Sequence, residues 1–316
     1  MEKTSVSKNT NKISSRWGPI VGLAVAAMFA GQDATADQAT IDLGSAAKFA
    51  VLAATTVTSS GATMVNGNLG VSPGNTVTGA PTVHGTMHLG DPVAAQAQLD
   101  LTTAYNNAAG RLGGASVSGN LGGLTKTPGL YTSTSSLEIT SGDLTLDAQG
   151  DPNAVFIFQM PTTFITTVGR KVILAGGATW CHVYWQVGSS ATFGTDSIIK
   201  GNILAYTSIT LNAGASLEGR ALAQNGAVAL ENNLIAAIPT ASPPAPSFAG
   251  ISRAPTGLVT LIINNTPCLT LTLQISADLK NWTTLTTLTP GASPYVFTDT
   301  TASAEPMRFY RALYDL

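Results

Sequence analysis

The feature that most constrains the fold of this chain is an internal repeat of about nineteen residues. Leu211 and Leu230 lie nineteen residues apart in similar apolar runs, and Phe193 precedes Leu211 by eighteen. Between these positions the chain breaks into groups of three short apolar runs separated by turn residues. Such a period is typical of a β-solenoid, in which each turn buries its inner face only by stacking on the next. An ordinary β-sandwich is the simplest alternative, but it requires no internal period.

Short strands are predicted on both sides of one longer segment. Runs with outward Thr or Ser and inward Val, Leu, Ile or Phe begin near residue 41, and each ends at Gly, Pro or Asn. Grouping the later runs in threes gives one apolar core strand per turn, marked by Phe156/Phe158, Tyr184/Gln186, Ile203/Ala205 and Ala221/Ala223.

The longer segment has the pattern of a helix over about residues 91–111. Asp91 is placed to cap it and Pro92 to occupy its first position. Apolar residues three and four apart form one stripe, at Ala94, Ala97, Leu101, Ala104, Tyr105 and Ala108. A helix of this length, roughly 30 Å, would span about six rungs of a solenoid. We therefore expect it to lie along one side of the stack and cover an apolar face.

The charge content excludes several kinds of partner. Only 10% of residues are charged, and the net charge is −2, whereas a usual charged fraction is about 25%. The chain has no excess of positive charge that would attract nucleic acid or an anionic surface, so neither is expected as a partner. Since 44% of residues are apolar, the low charge does not predict disorder.

The N-terminus has the pattern of a secretory signal. Basic residues at 3, 8, 12 and 16 precede an apolar run over 18–31, and Ala34 and Ala36 offer a cleavage site after Ala36. The run is shorter than the ~20 apolar residues of a membrane helix. We therefore expect residues 1–36 to be removed, leaving an exported chain with no integral membrane span. The alternative is an uncleaved N-terminal anchor.

The cysteines and histidines suggest no metal or cofactor. Cys181 and Cys268 fall in different predicted domains, so a bridge would require those domains to pack with Cα atoms within about 7 Å. Two separate buried thiols are the favoured interpretation. His84, His88 and His182 lack partners at metal-ligand spacing.

A second domain is predicted after a stiff linker. Residues 238–247 contain four prolines, and residues 248–316 alternate as about seven short strands. This pattern favours a small antiparallel β-sandwich. Trp282 is expected in its core.

Several long motifs carry a family resemblance. The runs DAQGDPNAVFIFQ, WQVGSSATFGT and GNILAYTSITLNAGASLEGRALAQNGAVAL, with NGNLGVSPG near the start, closely resemble the microbial ice-binding protein family over about residues 41–237. The resemblance implies a mainly β fold, a discontinuous right-handed β-helix of triangular cross-section over residues 37–237 with one long helix alongside. It also implies adsorption to ice through one flat face. The tail, 248–316, resembles a fibronectin-III-like module.

A candidate ice-binding face follows from strand alternation. Ice carries no charge, so a flat surface of small, weakly polar side chains suits it. Thr has a restricted χ1, a methyl group and a hydroxyl. Outward positions on the small Thr strands give the candidate residues Thr56, Thr58, Thr76, Thr78, Thr163, Thr192, Thr210 and Asn212, with Val57, Val77, Phe164, Phe193 and Leu211 pointing inward. Glu138, Ile165 and Glu231 interrupt this pattern, which predicts modest activity or binding elsewhere. The simpler interpretation is that these Thr only satisfy β-propensity on a solvated face.

Two other function classes remain open. A glycan-cleaving enzyme would gather carboxylates in a cleft, but Asp143, Asp147, Asp151 and Asp196 adjoin turn residues, so no enzyme is expected. A cell-surface adhesin or structural module without ice activity is the stronger rival, with the C-terminal module as the contact to a cell surface or matrix. We expect a secreted monomer whose main partner is an ice crystal surface.

Overall fold

The computed structural model describes residues 38–237, 243–302 and 307–314. The expected signal segment 1–36 and part of the expected linker lie outside these residues. The solenoid and the C-terminal part belong to one compact unit.

The first strands and the helix come from residues 49–109. In chain order they are β1 (Phe49–Ala53), β2 (Thr56–Ser60), β3 (Met64–Asn66), β4 (Asn68–Val71), β5 (Thr76–Thr78), β6 (Thr82–Val83), β7 (Met87–Leu89) and α1 (Pro92–Ala109).

The remaining solenoid strands follow the helix. They are β8 (Ala115–Ser116), β9 (Gly119–Asn120), β10 (Thr125–Lys126), β11 (Gly129–Thr132), β12 (Leu137–Ile139), β13 (Leu144–Asp147), β14 (Phe156–Met160), β15 (Phe164–Thr166), β16 (Val172–Ala175), β17 (Val183–Val187), β18 (Ala191–Phe193), β19 (Ile198–Ala205), β20 (Ile209–Leu211), β21 (Ser216–Ala223), β22 (Val228–Glu231) and β23 (Leu234–Ala236).

These strands form three parallel faces. Sheet 1 contains β8, β11, β14, β17, the second halves of β19 and β21, then β1, β4 and β7. Sheet 2 has the order β9-β12-β15-β18-β20-β22-β2-β5. Sheet 3 contains β10, β13, β16, the first halves of β19 and β21, then β23, β3 and β6. Each turn thus adds one strand to every face. The expected period is confirmed, because Phe193, Leu211 and Leu230 are neighbours in register.

The stacking order is discontinuous along the chain. The first turn, β1 to β3, lies between the last turn, which ends with β21, β22 and β23, and the second turn, β4 to β6. The chain therefore builds one end of the stack first. After α1 it restarts at the other end and returns until its last turn meets its first.

Helix α1 begins and packs as its sequence predicts. Asp91 caps it by accepting a hydrogen bond from the amide of Ala94, at 2.8 Å, and Pro92 is the first helical residue. All six residues of the predicted stripe are buried. All of them except Ala94 pack against the outer side of sheet 1, on residues that include Leu52, Ile157 and Leu204. The middle strands of sheet 1, such as β1, β14 and β17, are therefore buried on both sides.

The interior of the solenoid contains an aromatic stack. The ring of Trp185 lies 4.3 Å from that of Phe158 and 4.4 Å from that of Phe164, nearly parallel to both. Its indole N–H donates to the carbonyl of Lys200 at 2.9 Å. The buried polar atom is therefore satisfied.

β17 is a core strand as predicted, and it is buried on both of its sides. Val183 and Trp185 point inward in β17, in register with Phe156 and Phe158, whereas Tyr184 and Gln186 face the helix side. Gln186 donates to the hydroxyl of Tyr105 in α1 at 2.8 Å. A strand buried on both faces loses the alternation that would have revealed its orientation.

The C-terminal part contains two antiparallel three-stranded sheets. The strands are β24 (Ser247–Arg253), β25 (Val259–Asn264), β26 (Leu271–Ser276), β27 (Thr283–Leu288), β28 (Tyr295–Asp299) and β29 (Phe309–Tyr314), ordered β24-β25-β28 and β27-β26-β29. Among the described residues this gives six strands, where the sequence suggested about seven. The two sheets share an apolar core of Val259, Leu261, Ile263, Leu271 and Leu273.

The expectation that Trp282 lies in this core is wrong. It is half-buried, and the guanidinium of Arg311 covers its ring at 4.4 Å. The aliphatic part of an Arg side chain can shield an aromatic ring while its charge stays near water.

The two cysteines form a disulfide, so the expectation of separate thiols is also wrong. The Cα atoms of Cys181 and Cys268 lie 5.4 Å apart. The bridge joins the solenoid to the C-terminal part, and Gly291 donates to the side-chain oxygen of Asn153 at 3.2 Å across the same seam. Close packing of the two parts brings together cysteines that are 87 residues apart.

Candidate functional site

Sheet 2 is the only face of the solenoid with neither a helix on it nor an ion pair across its strands, among the described residues. Helix α1 covers sheet 1. The outer side of sheet 3 carries the ion pair of Lys200 and Glu218 and the exposed Lys171. Sheet 2 alternates regularly, with apolar residues inside and mainly small polar residues outside.

A central column of outward side chains runs across all eight strands of sheet 2. Backbone register places its members side by side in the order Asn120, Glu138, Ile165, Thr192, Thr210, Ala229, Thr58 and Thr78. Neighbouring strands are about 4.8 Å apart. Within this column, the five adjacent positions from Thr192 to Thr78 therefore carry only Thr and Ala.

A second column lies two residues before the central one in seven of the eight turns, at or just before the start of each strand. Its members are Ser136, Thr163, Ser190, Ser208, Ala227, Thr56 and Thr76. Two neighbouring hydroxyls are hydrogen-bonded to each other: Thr163 Oγ1 donates to Ser136 Oγ at 3.0 Å. Thr56 Oγ1 donates to the carbonyl of Thr76 at 3.1 Å. These hydrogen bonds hold the side chains of Thr163 and Thr56 in fixed positions.

Seven of the eight residues predicted from the sequence lie in these two columns. Thr58, Thr78, Thr192 and Thr210 stand in the central column, and Thr56, Thr76 and Thr163 in the second. Asn212 lies beyond the end of β20, two residues after Thr210. The expected inward partners are buried, except Val77, which is half-buried on the last strand of sheet 2.

Six members of the two columns were not named from the sequence: Asn120, Ser136, Ser190, Ser208, Ala227 and Ala229. Ser190 and Ser208 precede Thr192 and Thr210 by two residues, so they share their parity. That spacing could have identified them. Ala227 and Ala229 occupy the same two columns, but an alanine carries no polar group to mark it.

The residues that interrupt the pattern lie at one end and one margin. Glu138 and Ile165 occupy neighbouring central positions, and the side chain of Ile165 is 38% exposed. Glu231 is exposed beside Ser60 at the margin of the face. The uniform part of the face is therefore the half built from β18, β20, β22, β2 and β5.

The acidic residues considered for catalysis serve turns. Asp147 accepts from the amide of Gln149, and Asp151 from that of Asn153, both at 2.9 Å. Asp143 accepts from the amide of Lys171 at 3.0 Å. Asp196 has a positive φ of 56° at a turn. Three of these carboxylates therefore have backbone amides as their partners.

Elsewhere the histidines have separate partners. His84 contacts Asn66 at 2.9 Å, His88 contacts Asp91 at 2.7 Å, and His182 lies at the seam with the C-terminal part. In the described part of the chain, no three His, Cys, Asp or Glu residues group as a metal site. Over the same residues, no helix has the length and hydropathy of a membrane span.

The family model and the relatives that match this chain all point to the same family. The model of the family described as Ice-binding-like matches residues 51–236. An ice-binding protein of Nostoc sp. (strain HG1) is 48% identical over 197 residues, which cover 61% of this chain and 72% of that protein. An ice-binding protein of Flavobacterium frigoris (strain PS1) is 35% identical over 215 residues, covering 62% and 75%.

Solved structures of ice-binding proteins are also similar to this chain. An ice-binding protein from an Antarctic biological consortium has 54% identity and a TM-score of 0.63, covering 64% of this chain and 93% of its own. The ice-binding protein of the Antarctic ascomycete Antarctomyces psychrotrophicus has 35% identity and a TM-score of 0.61, covering 64% and 100%. The similarity therefore spans whole solved chains but leaves about a third of this one unmatched.

Proposed function

This chain belongs to the ice-binding-like family, and on that premise we propose that it binds ice through the outer face of sheet 2. The relatives named above are ice-binding proteins. We propose that adsorption to ice inhibits the growth or recrystallisation of ice crystals.

The observation that supports this face is its register. Thr192, Thr210, Ala229, Thr58 and Thr78 repeat across five adjacent parallel strands. Such strands present equivalent atoms about every 4.8 Å, a spacing close to repeats on ice crystal planes. A second column of small side chains lies beside the first, so the repeat extends in two directions.

The chemistry of the columns suits ordered water. A Thr in a strand has few rotamers, so little side-chain entropy is lost when water orders around it. Its hydroxyl can both donate and accept a hydrogen bond. A charged side chain would instead hold its own hydration shell. We therefore place the main contact on the Thr/Ala half and expect Glu138 and Ile165 to limit activity to a modest level.

Several finer features belong to the same proposal. We infer a right-handed solenoid of triangular cross-section and a fibronectin-III-like C-terminal module. The basic and apolar N-terminal pattern supports secretion with removal of residues 1–36. The disulfide supports an oxidising compartment.

The test is to place bulk on the proposed face and on a control face. Thr192→Tyr with Thr210→Tyr puts two rings at neighbouring central positions of sheet 2. The matched control is Thr125→Tyr with Thr145→Tyr, two neighbouring outward positions of sheet 3. Thermal hysteresis and ice-crystal shaping are measured on the parent and on both variants, with circular dichroism to check folding.

We expect the sheet 2 variant to lose shaping and most of the hysteresis, while the control keeps both. Loss in the control alone would move the site to sheet 3. If the folded parent neither shapes ice nor enters a growing ice front, ice binding is wrong and the adhesin or structural alternative becomes the better one.

A further inference from the structure

A cavity of about 740 Å³ lies at the seam between the solenoid and the C-terminal module. Three parts of the chain line it. They are the segment before β1, which includes Asp42 and Ser45; the solenoid, with Cys181, His182, Tyr184 and Arg220; and the module, with Thr270, Thr287, Thr289 and Tyr295. Its volume is within the range of small-molecule sites, roughly 300–1,000 Å³. The cavity lies apart from sheet 2, on whose outer face none of its lining residues stands.

The only fully buried cation on this cavity is Arg220, which is 3% exposed. Its Nε donates to the carbonyl of Ala47 at 2.9 Å and its Nη1 to the side-chain oxygen of Asn202 at 3.0 Å. The guanidinium also lies 5.0 Å above the ring of Trp180. These contacts orient the group but bring it no negative charge.

Arg220 has no acidic partner among the residues that the structure describes. None of the ion pairs found within 38–237, 243–302 and 307–314 includes it. Burial lowers its pKa to about 10, against an opposing effect of the Tyr184 phenol. A buried charge is costly unless it is paired. The arrangement therefore favours an anion that enters the cavity.

The remaining lining is suited to hydroxyl groups. The module contributes the hydroxyls of Thr270, Thr287, Thr289 and Tyr295. Asp42, the acidic residue of this lining, is turned towards the amide of Gly44, from which it accepts at 2.8 Å. Because the single N–H of Arg220 Nε is taken by Ala47, a carboxylate would pair in a two-bond geometry with the terminal nitrogens Nη1 and Nη2. The lining thus combines the buried guanidinium of Arg220, with the half-buried Lys48 as a second cation, with several groups that pair with alcohols.

We propose that this seam cavity is a binding site for a sugar acid, with the carboxylate on Arg220 and the ring hydroxyls on the Thr and Tyr side chains of the module. The ligand would bridge solenoid and module, so binding would also stabilise their contact. This site is independent of ice binding and does not require it.

The probe is glucuronate, titrated into the full chain by calorimetry, with glucose and inorganic phosphate as comparisons. Arg220→Gln removes the charge. Thr287→Val with Tyr295→Phe removes two hydroxyls on the module side and leaves the Arg220 contacts in place. Thr284→Val is the matched control, because Thr284 is exposed on the same strand, β27, and does not line the cavity.

We expect glucuronate to bind more tightly than glucose or phosphate. Since a lost hydrogen bond to a charged group costs a factor of about ten or more, Arg220→Gln should weaken the Kd at least about tenfold. The double module variant should weaken it about three- to tenfold, and the control should not change it.

Failure of the folded parent to bind glucuronate overturns the proposal. Equal binding of glucose overturns the role of Arg220, and equal binding of phosphate with no effect of the module variant reduces the site to a simple anion site. If Arg220→Gln does not fold, the module variant and the phosphate comparison still decide.

Discussion

At the residue scale, glycine makes the bends of the long strands possible. β19 and β21 each pass from sheet 3 to sheet 1, and they bend at Gly201, with φ of 115°, and at Gly219, with φ of 145°. The two glycines are partners in register on adjacent strands. A Cβ atom on Gly219 would lie only 1.9 Å from the carbonyl oxygen of Gly201. Close stacking of the turns therefore leaves no room for a side chain at this corner.

We predict that Gly219→Ala is severely destabilising. The substitution adds both backbone strain and a clash with the next turn, so the free energy of unfolding should fall by about 3 kcal/mol or more. Denaturant unfolding measures this loss. The control is Gly113→Ala, where φ is 83° but no atom lies within 4 Å of the added Cβ; it should cost about 1 kcal/mol. Equal losses in both variants would mean that strain alone accounts for the effect.

Side-chain orientation was predictable wherever one side of a strand meets water. Thr192 and Thr210 alternate with buried Phe193 and Leu211, so their outward position follows from the sequence. Tyr184 and Gln186 could not be oriented in this way, because α1 covers the outer side of their strand. The position of Trp282 could not be predicted either, because nothing in the sequence shows that Arg311 covers its ring.

At the element scale, α1 was the most predictable part of the fold. Its cap, its first proline and its apolar stripe are all local in sequence, and local patterns can be read without knowing the topology. The contacts that hold it in place are not local. Gln159, fifty residues away, donates through Nε2 to the carbonyls of Ala108, at 2.7 Å, and Arg111, at 3.0 Å, near the end of the helix. Its Oε1 accepts from Thr132 Oγ1 at 2.7 Å.

We predict that Gln159→Met loosens the C-terminal turn of α1. The variant keeps the length of the side chain but leaves buried carbonyls without a donor, so it should cost about 2–3 kcal/mol. Hydrogen exchange of the last helical turn should also become faster. Gln98→Met is the control, because the Gln98 side chain makes one long bond, at 3.3 Å to Ala223, and its oxygen is unpaired. If Gln98→Met lowered the free energy of unfolding as much as Gln159→Met, the role of Gln159 in holding the end of α1 would be contradicted.

At the scale of the whole molecule, the repeat predicted the stacking but not the order of the turns. Nothing local in β1 shows that its partner is β21, about 170 residues later in the chain. The same limit explains the disulfide. Cys181 lies after β16 in the solenoid, and Cys268 lies in the module. Their pairing depends on the contact between the two parts, which the spacing of the cysteines in the sequence does not reveal. The candidate face, in contrast, depends only on the period and the strand alternation, and for this reason seven residues of its two columns could be placed from the sequence.

The seam between solenoid and module should respond to pH through His182. Its imidazole is buried between the two parts, with Nε2 3.1 Å from the carbonyl of Thr289 and Nδ1 3.3 Å from that of Pro152. Burial lowers the pKa of His182 below its ordinary value of 6.5, against the raising effects of the two carbonyls and Asp151. In the unfolded chain the imidazole therefore takes up a proton more readily than in the folded protein.

The sign of the pH dependence follows from this difference. The stability that neutral His182 contributes is fully present above about pH 6.5 and is lost as the pH falls towards the lower pKa of the folded state. One such group changes the free energy of unfolding by at most about 1.4 kcal/mol per pH unit. We predict that denaturant unfolding between pH 8 and 5 shows a decline that is smaller in His182→Asn, which keeps a donor for one carbonyl. His84→Asn, a loss of imidazole far from the seam, is the control. If His84→Asn reduced the decline as much as His182→Asn, the pH response would not belong to the seam.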